Sequence, residues 1–125
     1  MAVNWKRLHG LALAEVQATL AALPKPLQAE AVKLPITFER RPNRATQEDG
    51  IEPDTLGLFI GPEYAEQHAT NYPLPPRIII YLENIWNAAE ADEDAFRREI
   101  RATLLHELGH YLGLDEDGLE MRGLE

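Results

Sequence analysis

The 125-residue chain predicts a small α+β fold, and three features of its pattern carry that expectation. An amphipathic stretch opens the chain, short β-type runs occupy its middle, and a long periodic helix closes it. Hydrophobic residues make up 45% of the sequence, enough to bury one core. The length suits a single domain over residues 1–125 and leaves no room for two independent cores.

Residues 3–22 read as the first helix. Its apolar positions Val3, Leu8, Leu11, Val16, Leu20 and Leu23 fall roughly on one face. Lys6 and Arg7 ahead of apolar residues resemble the start of a secretion signal, but Glu15 and Gln17 interrupt the apolar run. Pro24 to Pro26 end this helix. The segment ITFERR, Ile36 to Arg41, alternates apolar and polar residues as a half-buried strand does. Residues 42–54 read as a loop rich in breakers, and LGLFIG, Leu56 to Gly61, as a second strand closed by Gly61-Pro62.

The strongest strand signal is RIIIYLE, Arg77 to Glu83. Its apolar run suits a central strand, while the prolines before it suit an edge, and the pattern does not choose. From about Asp92 to Leu112 a long helix is predicted. Asp92, Glu93 and Asp94 supply an N-cap and an acidic first turn. Phe96, Ile100, Leu104, Leu108 and Leu112 then recur every four residues as a core-facing stripe, and Gly113 is placed to end the helix.

A net charge of −9 argues against nucleic acid and anionic membranes as partners, because both repel such a surface. No stretch approaches the roughly 20 apolar residues of a membrane span, and a cytoplasmic protein is expected. With no cysteine in the chain, disulfides, thiolate metal sites and cysteine nucleophiles are excluded together. Any metal must be held by His, Asp or Glu.

Such a site is written in HELGHYLGLDED, residues 106–117. His106 and His110 stand at i and i+4 of the predicted helix, so both imidazoles leave one face a turn apart and can reach one zinc ion. They lie about 200° around the helix from Leu104 and Leu108, away from the apolar stripe. Glu107 is placed to contact a water activated by the metal and to accept its proton. A catalytic zinc needs a third protein ligand. In the spacing HExxHxxGxx(H/D) that ligand falls ten residues after the first histidine, here Glu116. Asp115 and Asp117 flank it and are alternatives, with the spacing favouring Glu116.

These residues resemble the mini-zincins, a family of small bacterial zincin-like metallopeptidase domains that are similar to the Asp-zincins with their motif HExxHxxGxxD. The resemblance runs from LGLFIGP through PRIIIYLENIW to HELGHYLGLDED. It implies a backing helix at the N-terminus, a small mixed sheet, and an active-site helix below a substrate cleft. It carries over His106 and His110 as metal ligands, Glu107 as the catalytic residue and Glu116 as the third ligand, with a glutamate where the family motif has aspartate.

The expected activity is hydrolysis of peptide bonds in peptides or unfolded proteins, dependent on Zn2+. An extended substrate could pair with the edge of the sheet. The alternative is a metal-binding scaffold or interaction domain that retains the site without turnover. Elsewhere, His9 and His68 have no ligand-spaced neighbours and read as surface residues. Trp5 and Trp86 read as core or helix-docking residues, and Arg97, Arg98 and Arg101 as a solvated, ion-paired face. Tyr72, Tyr81 and Tyr111 are candidate donors to an oxyanion, with a structural role the simpler reading.

Overall fold

The computed structural model describes residues 4–61 and 76–112. Helix α1 spans Trp5–Ala21. Asn4 caps it, its side-chain oxygen accepting from the Arg7 N–H at 3.1 Å, which satisfies a donor with no partner inside the helix. The buried residues Leu8, Ala12, Val16 and Thr19 follow the helical period.

Pro24 and Pro26 do not simply break the chain. Pro24 is the N-cap of a second helix, α2 (Lys25–Ala31), and Pro26 lies in its first turn. A missing N–H costs nothing there, since first-turn donors have no helical acceptor. Strand β1 is Ile36–Glu39. The stretch expected as loop contains a short helix, α3 (Arg44–Glu48), capped by the Asn43 side chain, which accepts from Thr46 N at 2.8 Å. Strands β2 (Gly57–Ile60) and β3 (Arg77–Tyr81) follow, then α4 (Leu82–Ala88) and α5 (Glu93–Tyr111).

The sheet order is β1-β3-β2. β1 runs parallel to β3, with Ile36 opposite Ile78, and β2 runs antiparallel to it, with Phe59 opposite Ile78. The isoleucine strand is therefore central in a small mixed sheet. Ile78, Ile79, Ile80 and Tyr81 are all 2% exposed or less, as a strand covered on both faces requires. Ile78 and Ile80 join α1 and α5 in the main core, with Phe96, Ile100, Leu104 and Leu108. Strand alternation turns Ile79 and Tyr81 to the opposite face.

The end of RIIIYLE departs from the sequence expectation. β3 stops at Tyr81, and Leu82 opens α4 with no loop between them. Leu82 and Ile85 are fully buried. Trp86 meets Phe96 edge to face at 5.6 Å, docking α4 on α5. The turn into α5 passes through Glu90 (φ 55°) and Ala91 (φ 61°), before Asp92 caps α5 by accepting from Ala95 N at 2.8 Å. Arg7 pairs with Glu93, joining the start of α1 to the start of α5.

Left-handed backbone costs an L-residue about 1–2 kcal/mol, and Ala91 bears that strain without a side-chain function. Ala91→Gly should stabilise the fold by about 0.5–1 kcal/mol, after the greater freedom of glycine in the unfolded chain is subtracted. A rise in the urea midpoint at unchanged slope is the expected result. An unchanged or lower midpoint would show that the turn is not strained.

Candidate metal centre

The metal centre starts from the geometry of α5. Leu104 and Leu108 are buried, whereas His106 and His110 are exposed, so the two imidazoles leave the helix on the side turned from the core. Their Nε2 atoms are 3.1 Å apart and the rings stand nearly perpendicular, 84° with centroids 4.7 Å apart. Two nitrogens bound at about 2.0–2.1 Å to one tetrahedral zinc lie about 3.4 Å apart, so the observed pair fits a shared ion closely. His110 is in the last turn of α5, where the carbonyl end of the helix favours positive charge.

Glu107 lies between these imidazoles and the sheet and is 9% exposed. Its carboxylate accepts a hydrogen bond from the backbone N–H of Phe59 in β2. Burial raises its pKa above the ordinary carboxylate value, an effect only partly offset by His110, His106 and the Phe59 N–H. One ligand atom from each of His106, Glu107 and His110 lies within 4.8 Å of the others. Glu107 is thus close enough to the two imidazoles to act on, or to help hold, whatever binds there.

Strand β2 reaches Glu107 because of its register and its first residue. Tyr81 N donates to Leu56 O at 2.9 Å, and antiparallel pairs alternate between bonded and non-bonded. Leu58 therefore bonds to β3, while the N–H and C=O of Gly57 and Phe59 point to the open edge. The Phe59 N–H meets Glu107 there. Gly57 lies directly against α5: a Cβ on it would come 2.4 Å from Thr103 Cγ2 and 3.3 Å from Glu107 Cγ. Only glycine lets the strand sit this close. The Phe59 ring packs edge-on against Tyr111 at 5.8 Å, one turn beyond Glu107. A groove of about 380 Å3 lies beside the centre, lined by Leu56, Gly57, Ala102, Thr103, His106 and Glu107.

Of the residues expected from sequence, His106, Glu107 and His110 are brought together. Glu116, Asp115 and Asp117, together with Gly113, His68 and Tyr72, lie outside the described residues. Tyr81 is on the sheet face turned from α5 and its buried hydroxyl has no partner among the described residues, so it is not placed to serve the centre. Tyr111 is 3% exposed and packs on β2. Sequence reasoning did not identify Phe59, Gly57 or Thr103. The signal available for Gly57 was a glycine inside a strand pattern, which marks a close backbone approach.

Gly57→Ala should push β2 from α5, weaken the Phe59–Glu107 hydrogen bond and destabilise the protein by about 1–3 kcal/mol. Adding Thr103→Ser, which removes the obstructing methyl, should recover much of that loss. A double-mutant cycle by urea unfolding reads the coupling, and purely additive effects would disprove the contact.

Among the described residues, no helix is long and apolar enough to cross a membrane. No curated protein matches the chain. The family described as zincin-like metallopeptidase matches residues 31–124, a span that includes the whole sheet, the His106–Glu107–His110 group and the acidic segment after it. This match covers well over half of the sequence, and the chain belongs to the zincin-like metallopeptidase family.

Proposed function

We propose that the protein is a zinc-dependent peptidase acting on extended stretches of peptide or unfolded protein. His106, His110 and Glu116 are the metal ligands in this reading, and Glu107 is the general base. The observation that carries it is the pairing of two exposed imidazoles 3.1 Å apart with a buried carboxylate beside them whose pKa is raised by burial. A site that only stored metal would not require that carboxylate. Bound at His106 and His110, zinc supplies Lewis acidity, polarising a carbonyl and making water nucleophilic at neutral pH.

The chain's own residues account for the proton movements. Glu107 accepts a proton from the attacking water at its carboxylate as the new C–O bond forms, and gives it to the departing amine nitrogen as the C–N bond breaks. Burial keeps the proton affinity of Glu107 above that of a solvated carboxylate, which suits a group that must both take and return a proton. The Phe59 N–H fixes the orientation of the carboxylate through one hydrogen bond and leaves acceptor capacity for the water. The groove along β2 supplies the substrate path. The outward C=O and N–H of Gly57 and the C=O of Phe59 offer ladder partners to an extended chain, which a compact folded substrate cannot match.

Zinc should bind at about one equivalent per chain, read by metal analysis of untagged protein. His106→Ala or His110→Ala should each remove most of it, and Glu116→Ala should weaken it more than Asp115→Ala or Asp117→Ala. Protein that stays metal-free in excess zinc would overturn the metal centre, and a larger loss in Asp115→Ala or Asp117→Ala would move the third ligand there. Glu107→Gln should keep zinc but lose about 10²–10⁴-fold in cleavage of a peptide library. Product patterns identical to those of the wild type would instead make this a non-catalytic metal-binding protein.

A further inference from the structure

A second cavity of about 410 Å3 adjoins the groove beside the candidate metal centre: it is lined by Leu56, Asp54, Asn84, Asn87 and Ala88, and Leu56 lines both. Its far end is polar, and Asp54 is the one charged residue among the described residues that line it. Asp54 is held in a rigid turn. Asn84, 8% exposed, donates its side-chain amide to the carbonyls on either side, Pro53 O at 2.8 Å and Thr55 O at 2.9 Å. Thr55 closes the same turn on Glu52 O through its N–H at 3.2 Å and its hydroxyl at 2.8 Å. The proline at position 53 stiffens it further.

A buried asparagine with both amide hydrogens committed to one exposed turn is more than solvent exposure of Asp54 alone requires. Its effect is to present a carboxylate at a fixed point in the cleft, which lowers the ordering cost of a charged contact. Asp54 stands three residues before Gly57, the last open ladder position on this side, and belongs to the turn and not to the extended strand. The middle of the path, over Gly57, Ala102 and Thr103, has small side chains and admits a close backbone. Because the Thr55 carbonyl is already taken by Asn84, recognition beyond Gly57 falls to side chains.

We propose that Asp54 determines specificity, selecting extended peptides that place a Lys or Arg side chain at this end of the cleft, on the far side of Leu56 from His106 and Glu107. This inference rests on the peptidase reading for its position relative to the scissile bond, but the contact is a binding interaction in its own right. The pair is partly solvated, so its selectivity is modest, about two- to fivefold, and fades as salt rises.

The test is capture of a random peptide library on immobilised, zinc-loaded Glu107→Gln protein at low ionic strength, sequenced by mass spectrometry, beside cleavage of the same library by the wild type. Lys and Arg should be enriched about two- to fivefold at one position. Asp54→Asn in the same background should abolish that enrichment, and Asp54→Lys should replace it with Asp and Glu. The residue is an exposed turn position, so these variants retain the fold. Cleavage without a basic preference, or a preference that survives Asp54→Asn, overturns the inference and leaves the peptidase reading intact. Asp54-dependent capture without any cleavage does the reverse, and neither capture nor cleavage removes both.

Discussion

The hydrogen bond from the Phe59 N–H to the Glu107 carboxylate joins the open edge of the sheet to the helix that carries both histidines. A carboxylate on the buried side of a helix is costly unless hydrogen-bonded or ion-paired. Here the edge strand supplies a fixed donor. Because the donor is a backbone group, its place depends on the register of β2 on β3 and not on a side chain that could rotate away. The same contact sets the width of the cleft, since β2 can approach α5 this closely only with glycine at position 57 facing Thr103.

Everything beneath that contact serves to hold α5 still. One arc of the helix, Phe96, Ile100, Leu104 and Leu108, is buried against the central strand and α1, while the opposite arc is open at His106 and His110. Several buried side chains of this size, each contributing about 1.5–3 kcal/mol, anchor a helix whose exposed face can then be given over to chemistry. The Asp92 cap and the Arg7–Glu93 pair secure its start. Its other end is secured through Tyr111 on Phe59, so packing and site geometry share residues there.

The second cavity is lined in part by α4, whose first two residues the sequence pattern assigned to a strand. By starting at Leu82 directly after Tyr81, it brings Asn84 back over the turn before β2. The loop upstream of the edge strand is consequently braced by a buried amide and not by its own composition.

What the sequence determined by itself is local. The i, i+4 spacing of His106 and His110 on a face opposite Leu104 and Leu108, the Asp92 cap and the alternation in ITFERR are properties of one element each, and the structure contains them at nearly those boundaries. Local signals also misled where two structures share them. Pro24 and Pro26 end one helix and begin the next, since a first turn needs no N–H, and Ile79 to Glu83 is apolar enough to continue as strand although the chain turns into a helix at Leu82. The centrality of β3, the closeness of β2 to α5, the partner of Glu107 and the bracing of Asp54 were decided only by tertiary structure. Each depends on groups far apart in the chain, and two of the key participants, the Phe59 N–H and the bare Cα of Gly57, are backbone. A backbone amide is the same at every residue but proline, so nothing in the order of side chains marks which one will meet a buried carboxylate.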